Sequence, residues 1–332
     1  MLMTDTQTPA EDDFSPIPGR IRIGISGWTY PPWRGTFYPQ KLAHHRELTY
    51  ASDIFSSIEI NGTFYSLQRP ESFARWADST PDDFVFSVKA PRFITHMRRL
   101  KDAKVPLANF LASGLLRLGA KLGPILWQLP PNFKFDAKLL EAFLTLLPHD
   151  TQTAADLARR HDKRLSGRSW MKIDQPRSVR HCMEIRHDSF KSPQFIDLLR
   201  AYNVALVCAD TVEWPRLMDV TADFMYCRLH GSEELYASGY DDQSLDDWAR
   251  RVFAWANGKE PTDGERVRKK SASPSHSRRD VFVYFDNDAK VRAPFDAQGL
   301  IARISRLGEQ TPHRSGRPDR AKRHAPKREM LD

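Results

Sequence analysis

The sequence alternates short apolar segments with amphipathic ones eight times, and this alternation constrains the fold more than any other feature. The apolar segments have the length of strands and are rich in β-branched and aromatic residues, as buried parallel strands are. They lie at 21–27, 57–60, 84–89, 124–129, 182–186, 204–209, 225–230 and 281–285. Strand–helix alternation repeated in this way predicts a closed barrel rather than an open sheet.

Most of the connections between these strands have the apolar periodicity of an α-helix. In the third connection, for example, leucines recur at steps of three or four residues. The helix before the last strand is predicted to begin with a capping-box-like pair, Ser244 and Asp247. Only the sixth connection, 210–224, is too short for a good helix. We therefore predict a (β/α)8 TIM-type barrel of the α/β class, irregular at a short or missing sixth helix.

A chain of 332 residues suits one barrel domain with extensions. We expect a disordered leader at 1–19, a single barrel at 20–308 and a basic disordered tail at 309–332. The formal net charge of +8 is peripheral, with +6 in 157–180 and +3 each in 259–280 and the tail. Such segments are usually solvated surfaces, and nucleic-acid binding through the basic loop and tail is the alternative.

The sequence also indicates where in the cell the protein is expected. No apolar run approaches the ~18–20 residues that a membrane span needs, so no membrane association is predicted. The first residues are acidic and lack the apolar stretch of a signal peptide, which favours the cytoplasm. Cys182, Cys208 and Cys227 lack metal or redox spacing and are expected to be buried thiols in a reducing compartment.

Charged and polar residues recur at the carboxyl ends of the predicted strands. Buried strands rarely contain charges unless they are paired, and barrels gather their reactive groups at this end. The predicted catalytic residues are Glu59, Lys89, Glu184 and His230. The predicted substrate-binding residues are Trp28, Asn61, Tyr65, Gln128, Arg186, Asp210 and Arg228. The alternative to a functional cavity is an ion-pair lattice that plugs the barrel.

The residue types indicate a ligand class. Glu59 and Glu184 lie on nearly opposite strands and face inward, which suits an acid paired with a base or nucleophile. Lys89, Arg186 and Arg228 favour an anionic group, and aromatic residues in the loops offer flat faces to a ring. We therefore predict a small, ring-containing anion as ligand and a hydrolase or lyase reaction. No particular cofactor or oligomeric state is predicted.

Other interpretations of the same residues involve a metal, a nucleic acid or a non-catalytic role. A metal site would use Glu59, Glu184, Asp210 and His230, but neighbouring cations would repel a dication, so no metal is predicted. The chain is alternatively a nucleic-acid-binding or metal-dependent phosphodiester-processing barrel, or a non-catalytic binding protein. The sequence lacks a dinucleotide fingerprint, a Walker loop, a His-Glu-x-x-His motif and a nucleophile elbow.

Seven motifs occur in an order that resembles one known family. They are SGWTYPPWRGTFYP (26–39), EINGTFYSLQRPESFARWA (59–77), FVFSVKAPRFITH (84–96), LGPILWQLPPNF (122–133), MEIRHDSF (183–190), FMYCRLHG (224–231) and VYFDNDA (283–289). Over about residues 20–307 the chain is similar to the YecE-like family, also called domain of unknown function 72. The resemblance implies a (β/α) barrel and carries over no agreed catalytic residue. The chain departs from its relatives at Phe190 and Asp286, where they more often have Trp and Asn, and at 257–280 and beyond 309.

Overall fold

The computed structural model describes residues 19–231, 238–268, 278–287 and 291–310, and eight parallel strands in it close into a barrel. The strands are β1 (Ile21–Ser26), β2 (Ser57–Ile60), β3 (Val85–Lys89), β4 (Leu122–Gln128), β5 (His181–Glu184), β6 (Val204–Asp210), β7 (Phe224–Leu229) and β8 (Asp280–Phe285). β1 pairs with β2 and also with β8, where Ile21 lies opposite Val281, and this pairing closes the ring. The predicted TIM-type barrel is confirmed.

Helices connect most of the strands. They are α1 (Glu47–Ile54), α2 (Gly62–Tyr65), α3 (Pro70–Asp78), α4 (Lys104–Ala112), α5 (Ala137–Leu144), α6 (Thr151–Ala158), α7 (Pro193–Ala201), α8 (Asp242–Ala256) and α9 (Ala293–Gln310). The sixth connection, described throughout from 211 to 223, contains no helix, as predicted. The predicted capping box is wrong: Asp241 caps α8 by accepting a hydrogen bond from the backbone N–H of Ser244, so the helix begins earlier.

Alternation along the strands separates the barrel interior from the surrounding helical layer. On β7, Phe224 and Tyr226 belong to the cluster that fills the barrel, whereas Met225 and Cys227 pack in the larger core outside it. Successive side chains of a strand point to opposite faces, so Arg228 faces inward at the carboxyl end. The barrel is therefore filled by packed side chains below a polar upper end.

Hydroxyl pairs connect the apolar interior to this polar end. The Tyr284 hydroxyl lies 2.6 Å from Ser57 Oγ, and the Tyr226 hydroxyl lies 2.7 Å from Ser87 Oγ. These four side chains are buried, so their hydrogen bonds offset the loss of water. The pairs also fix the two phenol groups directly below the charged side chains.

The basic segments join helices to strands. Segment 157–180 lies largely between α6 and β5, residues 259–268 follow α8, and residues 278–280 lead into β8. The first segment is not confined to the amino ends of the strands, contrary to the prediction, because Arg164 lines a cavity together with Phe64 and Tyr65, which follow β2. Residues 1–18, 269–277 and 311–332 lie outside the described residues, so the expected disorder of leader, loop and tail stays a prediction.

Two further expectations concern burial and apolar length. Cys182, Cys208 and Cys227 are buried free thiols, as predicted. Within the described ranges, no helix combines the length and apolar character that crossing a membrane requires.

Candidate functional site

Three carboxylates from different strands meet on one guanidinium at the carboxyl end of the barrel. Arg228 donates from Nε and Nη2 to the two oxygens of Glu59, at 3.1 and 2.9 Å. Its Nη1 donates to Glu184 Oε2 at 2.7 Å. Its Nη2 also donates at 2.6 Å to Oδ2 of Asp286, the residue that follows β8. We call Glu59, Glu184, Arg228 and Asp286 the carboxylate–arginine cluster.

Neighbouring side chains complete the hydrogen bonding of the two glutamates. Ser26 Oγ donates to Glu59 Oε1 at 3.0 Å. The Tyr226 hydroxyl donates to Glu59 Oε2 at 2.6 Å. Glu184 Oε1 accepts from Gln128 Nε2 at 2.9 Å and from Arg186 Nε at 2.7 Å. Both carboxylates are thus held in one orientation by donors from several strands.

The electrostatics of the cluster favour its ionised form. Burial raises the pKa of Glu184, but Arg186 and Arg228 outweigh burial and hold it well below its usual range. Burial likewise raises the pKa of Asp286, and Arg228 and His230 bring it below its ordinary value. The side chains of Arg228 and Glu184 have no exposed surface. Replacing one partner by an uncharged residue would therefore leave buried charges without an opposite charge.

Lys89, the last residue of β3, enters the same region without joining these ion pairs. Its Nζ lies 4.5 Å from the centre of the Phe64 ring. Within the described part of the chain, Lys89 has no salt bridge, while the carboxylates of the cluster bind Arg228 and Arg186. Burial, and then the charge of Arg228, lower the pKa of Lys89 from 10.5 to about 8. About one amine in ten is then unprotonated at pH 7.

The side of the site near β7 is formed by His230, Trp214 and Arg186. His230 Nδ1 lies 3.2 Å from Asp286 Oδ2, and burial lowers the pKa of this histidine although Asp286 opposes the effect. The Trp214 ring packs edge-on against His230, with centroids 5.5 Å apart. The Arg186 guanidinium lies 4.0 Å from the Trp214 centroid, and its side chain is 11% exposed. Arg186 therefore lies at the rim of the buried cluster.

An apolar cavity of about 370 Å³ shares Phe64 with the site of Lys89. Tyr65, Phe93 and Met97 also line this cavity, and Tyr65 is 71% exposed. Arg92 and Arg164 add positive charge to its lining. A concave apolar surface with a few polar groups is the usual form of a small-molecule site.

Comparison with known proteins decides the family. The sequence pattern of the family described as "Protein of unknown function DUF72" matches residues 22–322. This chain belongs to the DUF72 family. The resemblance to the YecE-like family is thereby confirmed, and the family description names no activity.

Individual relatives match this DUF72 chain over part of their length. It is 32% identical over 115 residues to UPF0759 protein YecE of Escherichia coli K12 and 32% identical over 124 residues to UPF0759 protein YunF of Bacillus subtilis 168. The alignments cover 34% of this chain and 39% and 41% of the relatives. The chain thus spans about two fifths of the length of the curated relatives it matches.

Solved DUF72 structures share the fold. The Thermotoga maritima protein has a TM-score of 0.62 at 23% identity, covering 88% of this chain and 100% of its own. A DUF72 protein of Enterococcus faecalis has a TM-score of 0.58 at 16% identity, covering 86% and 95%. At these identities the likeness shows the architecture alone.

The structure brings together most of the residues that the sequence of this DUF72 protein singled out. They are Glu59, Lys89, Gln128, Glu184, Arg186, Arg228 and His230. Glu59 and Glu184 were expected to form an acid–base pair, but both are fully buried and share Arg228. The centre of the site is thus the ion-pair lattice given above as the alternative, and Lys89 and Arg186 lie at its edge.

Two predicted binding residues point away from this cluster. The Trp28 ring packs against Trp76 of α3, with centroids 5.5 Å apart, and against Phe86. Asp210 accepts hydrogen bonds from Arg216, at 2.8 Å, and from Trp248 Nε1 of α8, at 3.1 Å. Alternation explains Asp210, because the inward residue at the end of β6 is its neighbour Ala209.

Two other predicted binding residues, Asn61 and Tyr65, follow β2. Asn61 precedes α2, and its buried Oδ1 has no hydrogen-bond partner among the described residues. Tyr65 lines the apolar cavity. Most aromatic residues of the first loop pack on one another, as Tyr30 and Trp33 do with centroids 4.6 Å apart. In the described part of the chain, no three His, Cys, Asp or Glu side chains are grouped to hold a metal ion.

Sequence reasoning missed His96, which follows β3 in the same loop region as Lys89. Its ring packs edge-on against Phe64 with centroids 5.1 Å apart, and Thr95 Oγ1 lies 2.8 Å from its Nδ1. Burial, followed by the charges of Lys89 and Arg186, lowers the pKa of His96 to about 4. A histidine seven residues after a strand-end lysine is the signal that would have found it.

Asp286, Ser26 and Tyr226 were also missed as members of the site. From the sequence, Asp286 stands out only as a departure from its relatives, yet it contributes the third carboxylate of the cluster. Tyr226 precedes Arg228 by two residues, so alternation alone predicts that both face inward.

Proposed function

We propose that this DUF72 chain is an enzyme of the hydrolase or lyase type that acts on a small, ring-containing anion at the carboxyl end of the barrel. Lys89 is the proton-transferring amine, and Arg186 is the cation that contacts the anionic group. The carboxylate–arginine cluster positions Arg186 through Glu184 and sets the charge around the Lys89 amine. In this assignment Glu59 and Glu184 are positioning residues, because buried, ion-paired carboxylates are poorly placed to exchange protons with a substrate.

The observation that carries the proposal is the state of the Lys89 amine. Among the described residues, the carboxylates of the cluster are taken up by arginines, whereas Lys89 contacts an aromatic ring. A half-buried lysine with a pKa of about 8 exchanges protons near neutral pH, as a general acid or base must. A structural role alone would favour an amine that is paired with a carboxylate.

The ring of the substrate is assigned to the apolar cavity next to Phe64. Its volume of about 370 Å³ accommodates one ring, and Tyr65 offers a flat face. The ring and the anionic group would then bind on adjacent parts of one surface, since Phe64 borders both.

A ligand screen tests this assignment. Thermal unfolding is measured with phenyl phosphate, benzoate and cyclohexanecarboxylate as probes. At least one probe should raise the Tm saturably, and Lys89→Met should abolish the effect. Tyr65→Ala should weaken it for the aromatic probes. Lys191→Met is the matched control, because Lys191 lies at the surface and pairs with Glu265 at 3.1 Å. Equal shifts in the Lys89 and Lys191 variants would refute the proposal.

We also propose a cytoplasmic location, which three buried free thiols support. Fractionation of cells that express the tagged chain tests it. Recovery in a membrane or extracellular fraction would contradict it.

A further inference from the structure

A second cavity, of about 470 Å³, lies at the other end of the barrel, where the strands begin. Its charged lining consists of Arg20, Arg22, Arg177, Arg180, Arg278 and Asp280. Among the described lining residues, five guanidinium groups thus share one concave surface with a single carboxylate, and Arg177 also pairs with Asp174 at 2.6 Å. The packed interior, including Tyr226 and Tyr284, separates this cavity from the site of Lys89.

The protein holds several of these arginines in place. Arg22 Nη1 donates to the carbonyl oxygens of Ser56 and Asp83, at 3.2 and 2.8 Å. Arg180 Nη1 donates to Asp280 Oδ2 at 2.6 Å. The other oxygen of Asp280 accepts from the backbone N–H of Arg20 at 2.9 Å. The carboxylate of the cavity is therefore already used, and the guanidinium groups of Arg22 and Arg180 are held in place before any ligand arrives.

Such an arrangement favours an anion. Like charges in one cavity repel each other, and a bound anion offsets that repulsion. Burial lowers the pKa of the Arg22 guanidinium even though Asp83 and Asp280 oppose the effect. Guanidinium groups present paired N–H donors that match the oxygens of a phosphate group.

We infer that this cavity binds a compact phosphate-bearing anion, of the size of a diphosphate. Its volume lies near the lower end of the range of about 300–1,000 Å³ that is usual for small-molecule sites. Val85, Leu122 and Phe282 supply an apolar floor, which suits a ligand that has an organic part next to its phosphate. The site is independent of the proposed function at the carboxyl end.

Calorimetric titration of the full-length chain with inorganic pyrophosphate at physiological salt tests the inference. One molecule should bind per chain. The double variant Arg20→Gln/Arg177→Gln should bind at least about tenfold more weakly. The control Arg250→Gln/Arg306→Gln removes the same charge from α8 and α9 and should bind like the wild type. If the double variant does not fold, Arg20→Gln alone replaces it, since the hydrogen bonds given for Arg20 among the described residues come from its backbone, to Asp280 and Val281.

Two further arms separate this site from other sources of anion binding. Lys89→Met should leave pyrophosphate binding unchanged, and a loss in that variant would place the anion at the carboxyl end and overturn the inference. A short DNA duplex should bind more weakly than pyrophosphate. Tighter binding of the duplex would overturn the small-anion assignment in favour of a nucleic-acid backbone. Absence of saturable pyrophosphate binding, or equal weakening in the control, would also overturn it.

Discussion

Replacing Lys89 by methionine should stabilise the fold while removing the group that the proposed reaction needs. Methionine is unbranched and of similar length, so it can keep the packing against Phe64. The substitution removes a positive charge whose burial lowers the stability of the folded state. The pKa of Lys89 falls from 10.5 to about 8 on folding because burial outweighs the attraction of the nearby carboxylates.

The size of the effect follows from that difference in pKa. At about 1.4 kcal/mol for each pKa unit, the charged amine costs about 3 kcal/mol below pH 8. Lys89 is only partly buried by surface area, and water at its exposed part reduces the figure to about 2 kcal/mol. Between pH 8 and 10.5 the unfolded state binds more protons than the folded state, so wild-type stability rises with pH. The advantage of the Lys89→Met variant is therefore complete at pH 7 and declines above pH 8.

Urea unfolding followed by tryptophan fluorescence measures this directly, at pH 7 and at about pH 9.5. Lys191→Met is the control, and its loss of a surface ion pair should change the free energy of unfolding by less than about 1 kcal/mol. A Lys89→Met variant less stable than the wild type at pH 7 would refute the reasoning. So would a gain that stays constant as the pH rises.

Three further predictions concern the same region. Tyr226→Phe removes the hydrogen bond to Glu59 and should lower the free energy of unfolding by about 2 kcal/mol in urea; no change would show that Glu59 does not depend on this donor. Arg228→Met leaves three carboxylates without their shared partner and should cost about 3–5 kcal/mol, seen as a lower Tm, with Arg228→Lys only partly restoring it. The His96 imidazole should titrate in NMR spectra near pH 4 and stay neutral at pH 6, and a midpoint near 6.5 would contradict its burial beside Lys89.

The sequence predicted the barrel and the strand ends because both depend on local periodicity. Alternation placed Glu59, Glu184 and Arg228 on inward faces, and the structure joins them as ion pairs. Alternation could not show whether the last side chain of a strand faces the barrel interior or the outer helices. Asp210 is the example, since it ends β6 yet hydrogen-bonds to Trp248 in the outer helical layer.

Pairing between distant strands also lies beyond periodicity. Whether Glu59 is available as an acid depends on which cation it meets, and Arg228 is 169 residues away in the chain. Asp286 directly follows β8 and His96 lies seven residues after β3, so alternation no longer assigns either of them a face. Their place in the site depends on how the loops turn back over the barrel.

The hydrogen bonds of Arg228 also bear on how the chain folds. This one side chain, on β7, contacts carboxylates that stand on β2, on β5 and just past β8. No contiguous half of the molecule contains all four groups, so a partly assembled barrel would carry charges that find their partners only when the circle is complete. Fragments and early folding intermediates would thus be less stable, because they contain charges that lack their partners. We therefore expect the whole ring to fold as one cooperative unit.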